Sequence, residues 1–259
     1  YLNDTISFTR QWKLVAGLRY DRYNASINNS INAPSSASQT SKFTSVRTGL
    51  IYQPTDLQSY YVSYGTSYNP SLETLTPTNG TQSLAPEKSR STELGGKWDL
   101  LGGNLSTSAA IFQTDKFNAR TQVSPGVFEL TGNVRVRGFE AGATGRLSRT
   151  WQVLAGYTYL NAKIVESAPG DTANPEGNTL GNTPKHSGSL WVAYTPTREW
   201  EFGTGATAMS ERYASNANVV SVPYYLRWDA TVAYHLPKYD IRFNLLNIAN
   251  RLNYEQLIP

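Results

Sequence analysis

Few residues in this 259-residue chain could perform chemistry, and their spacing assembles neither a catalytic site nor a metal site. Cys is absent, which excludes disulfides, thiolate metal ligands and cysteine nucleophiles. The two histidines, His186 and His235, lie far apart, and neither belongs to an H-E-x-x-H or similar pattern. The Gly-Gly-Lys-Trp run at 95–98 lacks the earlier Gly and the following Ser/Thr of a phosphate-binding loop. We therefore predict a protein that is not an enzyme and uses no cofactor or metal of its own.

Charge excludes a second class of function. The chain has 23 Lys+Arg and 19 Asp+Glu, a net charge of +4, and the charges are interspersed along the sequence. A nucleic-acid binder needs a clustered basic run or face, so no nucleic-acid partner is predicted. At most this balance indicates a modest preference for anionic ligands.

The elements that must carry the functional residues are β-strands, because the hydrophobic period is two. From Tyr224 to His235 the even positions are apolar and the odd positions are mostly polar. Mean hydropathy is −0.44 and no apolar run approaches 18 residues, which excludes a spanning helix. A membrane strand needs only alternate apolar residues, and roughly ten residues cover the ~25 Å apolar band. The pattern predicts an all-β, antiparallel transmembrane barrel with the apolar stripes facing lipid.

About twelve such strands are predicted in a single domain over 1–259. They lie near 1–9, 12–24, 43–53, 57–68, 87–99, 104–118, 127–147, 151–166, 184–196, 199–212, 222–236 and 239–248. Short turns alternate with longer connections rich in Asn, Ser, Thr, Pro and Gly, at 25–42, 69–86, 119–126, 167–183 and 213–221. This alternation is typical of a barrel with short periplasmic turns and long extracellular loops.

Aromatic residues mark one end of these hairpins. A Trp or Tyr lies beside successive short turns, at Trp12, Tyr60, Trp98, Trp151 and Trp200. Such rings favour the membrane–water boundary, where one face contacts hydrocarbon and the N–H or O–H meets water. Soluble sandwiches, propellers and lectin-like domains also have Tyr- and Trp-rich alternating strands. Strands of ten or more residues favour the barrel, because soluble strands average about 5–6 residues.

Eight runs, in a fixed order, cover nearly the whole chain. The runs are Tyr-Leu-Asn-Asp-Thr-Ile-Ser at 1–7, Trp-Lys-Leu-Val-Ala-Gly-Leu-Arg-Tyr-Asp at 12–21, Leu-Ala-Pro-Glu-Lys-Ser at 84–89, Thr-Glu-Leu-Gly-Gly-Lys-Trp at 92–98, Asn-Val-Arg-Val-Arg-Gly-Phe-Glu at 133–140, Ala-Gly-Tyr-Thr-Tyr at 155–159, Asn-Thr-Pro-Lys-His-Ser at 182–187 and Phe-Asn-Leu-Leu-Asn-Ile-Ala-Asn at 243–250. Together these runs resemble the TonB-dependent siderophore receptors of the bacterial outer membrane, and within that family they resemble the ferric catecholate receptors most.

The resemblance implies a barrel of about 22 strands with an N-terminal plug inside it. No segment of the chain resembles the plug or the TonB box, so we expect 1–259 to be the C-terminal barrel portion of a larger receptor. Twelve strands alone would leave two unpaired edges in lipid, which costs several kcal/mol for each unsatisfied group. The implied function is import of a ferric siderophore into the periplasm, with energy from TonB. The implied partners are the siderophore, TonB and outer-membrane lipid.

The resemblance also implies roles for charged and aromatic residues. Glu93 and Glu140 lie on polar strand faces, where they would anchor arginines of the plug; the alternative is that they are ordinary solvated lumen charges, like Lys97, Arg227 and Asp229. Catecholate complexes are aromatic and anionic, so stacking rings and cationic donors suit them. The candidates in the outer loops and upper lumen are Tyr68, Arg120, Arg212, Tyr213 and Tyr254, each of which could instead belong to the aromatic girdle or to loop packing.

Two rival functions stay open from the sequence. A passive porin would need no plug and would show a constricting loop with clustered charges. An outer-membrane enzyme or adhesin could use the same scaffold, but an enzyme would need a Ser-His or Asp-His set at the rim.

Overall fold

The computed structural model describes residues 1–29, 35–70, 85–124 and 127–254, including all side chains except those of 29, 35, 120–124 and 127–131. Fourteen strands make up the described fold. They are β1 (Leu2–Ser7), β2 (Trp12–Asn29), β3 (Ser35–Thr55), β4 (Gln58–Asn69), β5 (Glu87–Leu100), β6 (Leu105–Ser124), β7 (Val127–Arg146), β8 (Trp151–Glu166), β9 (His186–Tyr194), β10 (Trp200–Met209), β11 (Arg212–Tyr213), β12 (Ser221–Val222), β13 (Tyr225–His235) and β14 (Asp240–Leu245).

Twelve strands form one antiparallel sheet in the order β1 to β10, then β13 and β14. The twelve predicted strands and their antiparallel pairing are thereby confirmed. The short β11 and β12 pair separately with each other. Within the described residues β1 pairs only with β2 and β14 only with β13, so the sheet has two open edges, as expected for part of a barrel wall. None of the described residues forms a helix long and apolar enough to span a membrane.

The predicted loops 25–42 and 119–126 are wrong over most of their length. The register of β2 and β3 continues to Asn29 opposite Ser35, and β6 and β7 continue to Ser124 opposite Val127. These strand ends are largely polar, a composition that is also typical of loops. Beyond the apolar band, paired strands need no apolar face, because water solvates both sides of the ribbon. Loop 167–183 is confirmed as lying outside the strands, and most of 69–86 lies outside the described residues.

Three other strand limits differ from the prediction. β9 and β10 are shorter than predicted, and β14 stops at Leu245 rather than near 248. Asn247 and Asn250 adopt positive φ, of 52° and 46°, which Asn tolerates better than most residues. The predicted loop 213–221 is spanned by a small ribbon, in which Tyr213 pairs with Ser221.

The two faces of the sheet separate as the period of two predicts. Across β5 to β8 one face carries Leu94, Ile111, Phe139 and Tyr159 in a single hydrogen-bonded row. Leu94 is 55% exposed and Ile111 53%, so this row is an open apolar surface suited to lipid. We call this the outer face. The inner face is richer in polar residues, including Glu93 and Glu140.

Aromatic rings form a girdle on the outer face beside the short turns. Trp12 lies 4.6 Å from Tyr52, and Trp151 lies 4.5 Å from Tyr194, measured between ring centroids. Trp98 Nε1 donates to Tyr60 Oη at 3.1 Å. These rings confirm the aromatic boundary predicted from the sequence at this end of the sheet.

Three of the short turns share one local hydrogen-bonding device. Each has the sequence Ser/Thr-Arg-x-Trp, beginning at Thr9, Ser148 and Thr197. The first hydroxyl accepts from the backbone N–H groups two and three residues later, at 3.1 and 3.0 Å for Thr9. For Ser148 both distances are 3.2 Å, and for Thr197 both are 3.3 Å. The hydroxyl therefore satisfies turn donors and sets where the girdle Trp enters the next strand.

Candidate functional site

Register brings Glu93 and Glu140 to neighbouring rows of the inner face. Glu93 on β5 pairs with Ser63 and Phe112. Glu140 on β7 pairs with Ala110, which pairs in turn with Gly95, the residue two positions from Glu93. The prediction that both carboxylates lie on polar strand faces is confirmed. We call Tyr61, Glu93 and Glu140 the carboxylate patch.

Tyr61 holds the Glu93 side chain. Its hydroxyl donates to Glu93 Oε1 at 2.5 Å, a short bond of the kind formed to a charged acceptor. The ring reaches Glu93 by crossing Gly95: a Cβ on Gly95 would lie 2.5 Å from Tyr61 Oη and 2.6 Å from Cζ. Glycine is therefore required at 95 for this ring position. Sequence reasoning missed Tyr61, since only the register shows that it lies across from Gly95.

Glu140 differs from Glu93 in its contacts. The residue is exposed, and it forms no hydrogen bond or ion pair with the side chains that the structure describes. It borders a shallow groove lined also by Gly142, Gly156 and Ser189. Next to it, the Phe112 ring covers Gly138, where a Cβ would collide with the ring. The Glu140 carboxylate is thus presented to the lumen over a smooth wall, with room for a cationic partner.

Other inner-face charges are paired within the wall. Arg19 contacts Asp21 at 2.8 Å, and Arg227 contacts Asp229 at 3.0 Å. Arg242 lies 3.6 Å from Glu201. These partly exposed pairs contribute little to stability, and they compensate the local charge. Among the described residues, no group of His, Asp and Glu could hold a metal ion.

Tyr68 lies within an aromatic stack at the end of β4 opposite the short turns. Its ring centroid is 4.9 Å from that of Phe43, which is 5.7 Å from that of Tyr23. Lys88 Nζ lies 5.7 Å from the Tyr68 ring centroid. A stack of rings with an adjacent cation is suited to an aromatic anion, although the rings also pack on one another.

Arg212, Tyr213 and Tyr254 come together at another part of the rim. Arg212 is only 3% exposed, and its Nη2 donates to the Tyr254 carbonyl at 2.6 Å. This guanidinium joins the β11 ribbon to the segment after β14. Tyr213 and Tyr254 are 37% and 44% exposed. Arg120 lies on β6 with its backbone paired to Leu130, and its side chain is outside the described set.

A group of asparagines that no sequence motif marks holds Tyr213 in this position. Asn216 Nδ2 donates to Asn174 Oδ1 at 2.7 Å, and the Gly181 N–H donates to Asn216 Oδ1 at 2.8 Å. Asn182 N–H donates to the Tyr213 carbonyl at 2.7 Å. The connections on either side of β9 and β10 are therefore one hydrogen-bonded unit. High Asn content was visible in the sequence, but the pairing between two loops was not.

Comparison with known proteins agrees with this architecture. The sequence model of the family described as "TonB dependent receptor-like, beta-barrel" matches residues 1–248. The chain is 34% identical, over 97% of its length, to the protein named "Probable TonB-dependent siderophore receptor PiuA" from Acinetobacter baumannii. It is 27% identical, over 96% of its length, to the catecholate siderophore receptor Fiu of Escherichia coli K12. It spans 36% and 37% of these two relatives.

A solved structure gives the same result. The crystal structure of the siderophore receptor PiuA from Acinetobacter baumannii superposes with a TM-score of 0.87 and 32% identity. The superposition covers 96% of this chain and 38% of that one. The chain therefore belongs to the β-barrel family of TonB-dependent receptors, and its strands span the bacterial outer membrane.

Proposed function

We propose that the protein containing this chain is a receptor that imports a ferric siderophore across the outer membrane. The observation that carries this proposal is the match of nearly the whole chain to relatives named as siderophore receptors. The wall is consistent with transport, because its inner face carries polar groups and its outer face carries an apolar band that includes Leu94 and Ile111. The chain spans little more than a third of those relatives, so the function is proposed for the longer protein.

The ligand class we propose is a ferric catecholate. Its aromatic, anionic rim would contact exposed rings and cations at the extracellular end of the wall. Tyr68 with Lys88 offers such a pair, and Tyr213 and Tyr254 offer exposed rings across the rim. Arg120 remains a candidate contact. Arg212 is proposed to act by holding the Tyr254 segment, because it is buried against that backbone.

We further propose that transport uses energy from TonB acting on a plug that the carboxylate patch anchors. The support is geometric: Glu93 and Glu140 lie in adjacent rows of the inner face, and Tyr61 orients Glu93. Arginines of a plug would pair with these carboxylates through charge-assisted hydrogen bonds. Such pairs hold a domain in place and break when it is pulled.

Uptake of labelled iron tests the function. Cells lacking their own catecholate receptors and expressing the full-length protein should accumulate iron from a ferric catecholate, and deletion of tonB should abolish that uptake. Hydroxamate and citrate complexes serve as specificity controls. Equal uptake in the tonB deletion would support a passive porin instead. Absence of uptake with every siderophore would refute the import proposal.

A permeability assay tests the anchor. Glu93→Gln with Glu140→Gln should loosen the plug and sensitise cells to large antibiotics that the outer membrane normally excludes. Glu199→Gln, in an exposed short turn, removes the same kind of charge outside the lumen and should leave sensitivity unchanged. Unchanged sensitivity in the double variant, at normal surface expression, would assign both residues as ordinary solvated charges.

A further inference from the structure

The connections beyond the short strands β9 and β10, at the end of the wall opposite the short turns, have a core of their own. We call 162–182 and 212–222 the rim cap. Five of the eight apolar residues that are buried in the described part of the chain lie in it, namely Ala162, Ile164, Ala168, Ala214 and Val222. Arg212, which is 3% exposed, is buried there as well. Burial on this scale is typical of a folded unit rather than of separate solvated loops.

One layer of the rim cap extends the main sheet. Gly177 N–H donates to the Ile164 carbonyl at 2.8 Å. Three residues further on, Leu180 N–H donates to the Ala162 carbonyl at 3.2 Å. These bonds lie along the edge of β8 beyond the point where its pairing with β9 stops. The backbone of 177–180 therefore takes the place of a longer β9 and is fixed by the same kind of bond.

Two asparagine side chains join the β11–β12 ribbon to this layer. Asn216 Oδ1 accepts from Gly181 N–H at 2.8 Å, and its Nδ2 donates to Asn174 Oδ1 at 2.7 Å. Asn218 Oδ1 accepts from Thr179 N–H at 2.8 Å, and its Nδ2 donates to the Thr179 carbonyl at 2.7 Å. An amide side chain offers both a donor and an acceptor, so each asparagine makes the paired bonds that a neighbouring strand would make.

The two layers approach each other closely at Gly181. A Cβ on Gly181 would lie 2.7 Å from Ser215 C and 2.8 Å from Ser215 Cα. Because both are backbone atoms, no rotation of a neighbouring side chain would make room for it. Asn182 N–H donates to the Tyr213 carbonyl at 2.7 Å beside this contact. The connections are therefore packed backbone against backbone.

We propose that the rim cap is already folded before a ligand arrives, and that Asn216 is the positioning residue that keeps it folded. The bonds described above join groups of the chain to one another and need no ligand to satisfy them. A ligand that meets such a preformed surface loses no free energy to ordering it. Tyr213 would thereby be presented in one place; its role as a siderophore contact rests on the proposed function, whereas the folding of the rim cap does not.

Hydrogen exchange of the full-length receptor without ligand tests the folding of the rim cap. The amides of Thr179, Gly181 and Asn182 donate within it, so they should exchange at least about a hundredfold more slowly than in an unstructured peptide. Asn216→Ala removes the acceptor of Gly181 N–H and should speed exchange at these amides by about tenfold or more. Asn216→Asp keeps an acceptor at this position and should retain most of the protection at Gly181.

The matched control is Asn24→Ala on β2. Asn24 Oδ1 accepts from Thr40 Oγ1 at 2.9 Å, so the change removes a side-chain hydrogen bond of the same kind outside the rim cap and should leave its exchange unchanged. Gly181→Ala disturbs the rim cap by a second route, since the new Cβ pushes the layers apart, and should speed exchange even with Asn216 in place. Heat-dependent gel mobility confirms that every variant retains a folded barrel.

Ligand binding separates a positioning role from a general loss of structure. The probe is the ferric complex of dihydroxybenzoate, a simple catecholate, whose binding is measured on cells without tonB and whose saturated uptake is measured on cells with it. With both Asn216→Ala and Gly181→Ala, the apparent affinity should fall by about fivefold or more, because only the fraction of receptors with a folded rim cap binds. Saturated uptake should match wild type at equal surface expression.

Rapid exchange of the rim-cap amides in ligand-free wild type would overturn the proposal, as would protection that appears only when the ferric complex is added. Wild-type exchange in Asn216→Ala, or an equal rise in Asn24→Ala, would remove Asn216 from the positioning role. A double variant with lower saturated uptake and unchanged affinity would do the same. If wild type binds no ferric complex, the proposed ligand class fails, and the exchange rates still decide whether the rim cap is preformed.

Discussion

Replacing Gly95 by Ala should disconnect Tyr61 from Glu93. The new Cβ would lie 2.5 Å from Tyr61 Oη and 2.6 Å from Cζ, so the ring must move off the strand. The movement breaks the 2.5 Å hydrogen bond to Glu93 Oε1. A bond to a charged group is worth about 1.5–3 kcal/mol, and partial exposure to lumen water reduces this to roughly 1–2 kcal/mol. We therefore expect Gly95→Ala to lower the free energy of unfolding by roughly 1–2 kcal/mol.

The measurement is urea unfolding of the full-length receptor in lipid vesicles, followed by tryptophan fluorescence and by gel mobility without heating. Gly142→Ala is the matched control, because the nearest atom to its Cβ is Ser108 Oγ at 3.4 Å. This change should be neutral, or stabilising by up to about 1 kcal/mol.

A double-mutant cycle isolates the cause. In a Tyr61→Ala background no ring crosses position 95, so Gly95→Ala should no longer destabilise. The coupling energy between the two positions should then be about 1–2 kcal/mol. Equal costs of Gly95→Ala in both backgrounds, or equal effects of the 95 and 142 changes, would refute the proposed link between ring position and carboxylate.

Three further predictions concern the faces, the turns and the rim. Leu94→Arg on the outer face should destabilise folding in bilayers by about 2–4 kcal/mol, whereas Leu154→Arg on the inner face, where water is available, should cost less than half as much in the same unfolding assay. Thr197→Ala removes the acceptor of two turn N–H groups and should lower the free energy of unfolding by about 1 kcal/mol, while Thr197→Ser should restore wild-type stability. Arg212→Met should free the Tyr254 segment and speed proteolysis after β14, and an unchanged cleavage rate would show that the contact is dispensable.

Strands and faces were predictable wherever lipid imposes alternation. Leu94 and Ile111 must be apolar because they contact hydrocarbon, so the pattern alone located their strands and orientation. The same argument fails above the membrane, where the largely polar extensions at 35–42 and 119–124 resemble loops in composition. Backbone hydrogen bonds pair these extensions, and amino-acid composition does not predict such bonds.

The candidate site was predictable only in part. Alternation placed Glu93 and Glu140 on polar faces, which is a property of each strand alone. The contact between Tyr61 and Glu93 depends on the exact register of β4 against β5, and a shift by one residue would have moved Tyr61 to the other face. Arg212 was expected among ligand contacts, but a sequence does not distinguish a buried arginine bonded to a carbonyl from an exposed one.

Strand length varies around the wall, so the rim is formed by long strands on one side and by loops above short strands on the other. The 18 residues of β2 rise about 42 Å, while the nine of β9 rise about 21 Å. Above the short strands β9 and β10, the rim is formed by the asparagine-bonded loop pair around Asn216, which begins where the β9–β10 register ends. Insertions and exchanges in those loops would leave every strand pairing intact. Sequence changes there can therefore reshape this side of the rim without altering how the strands pair.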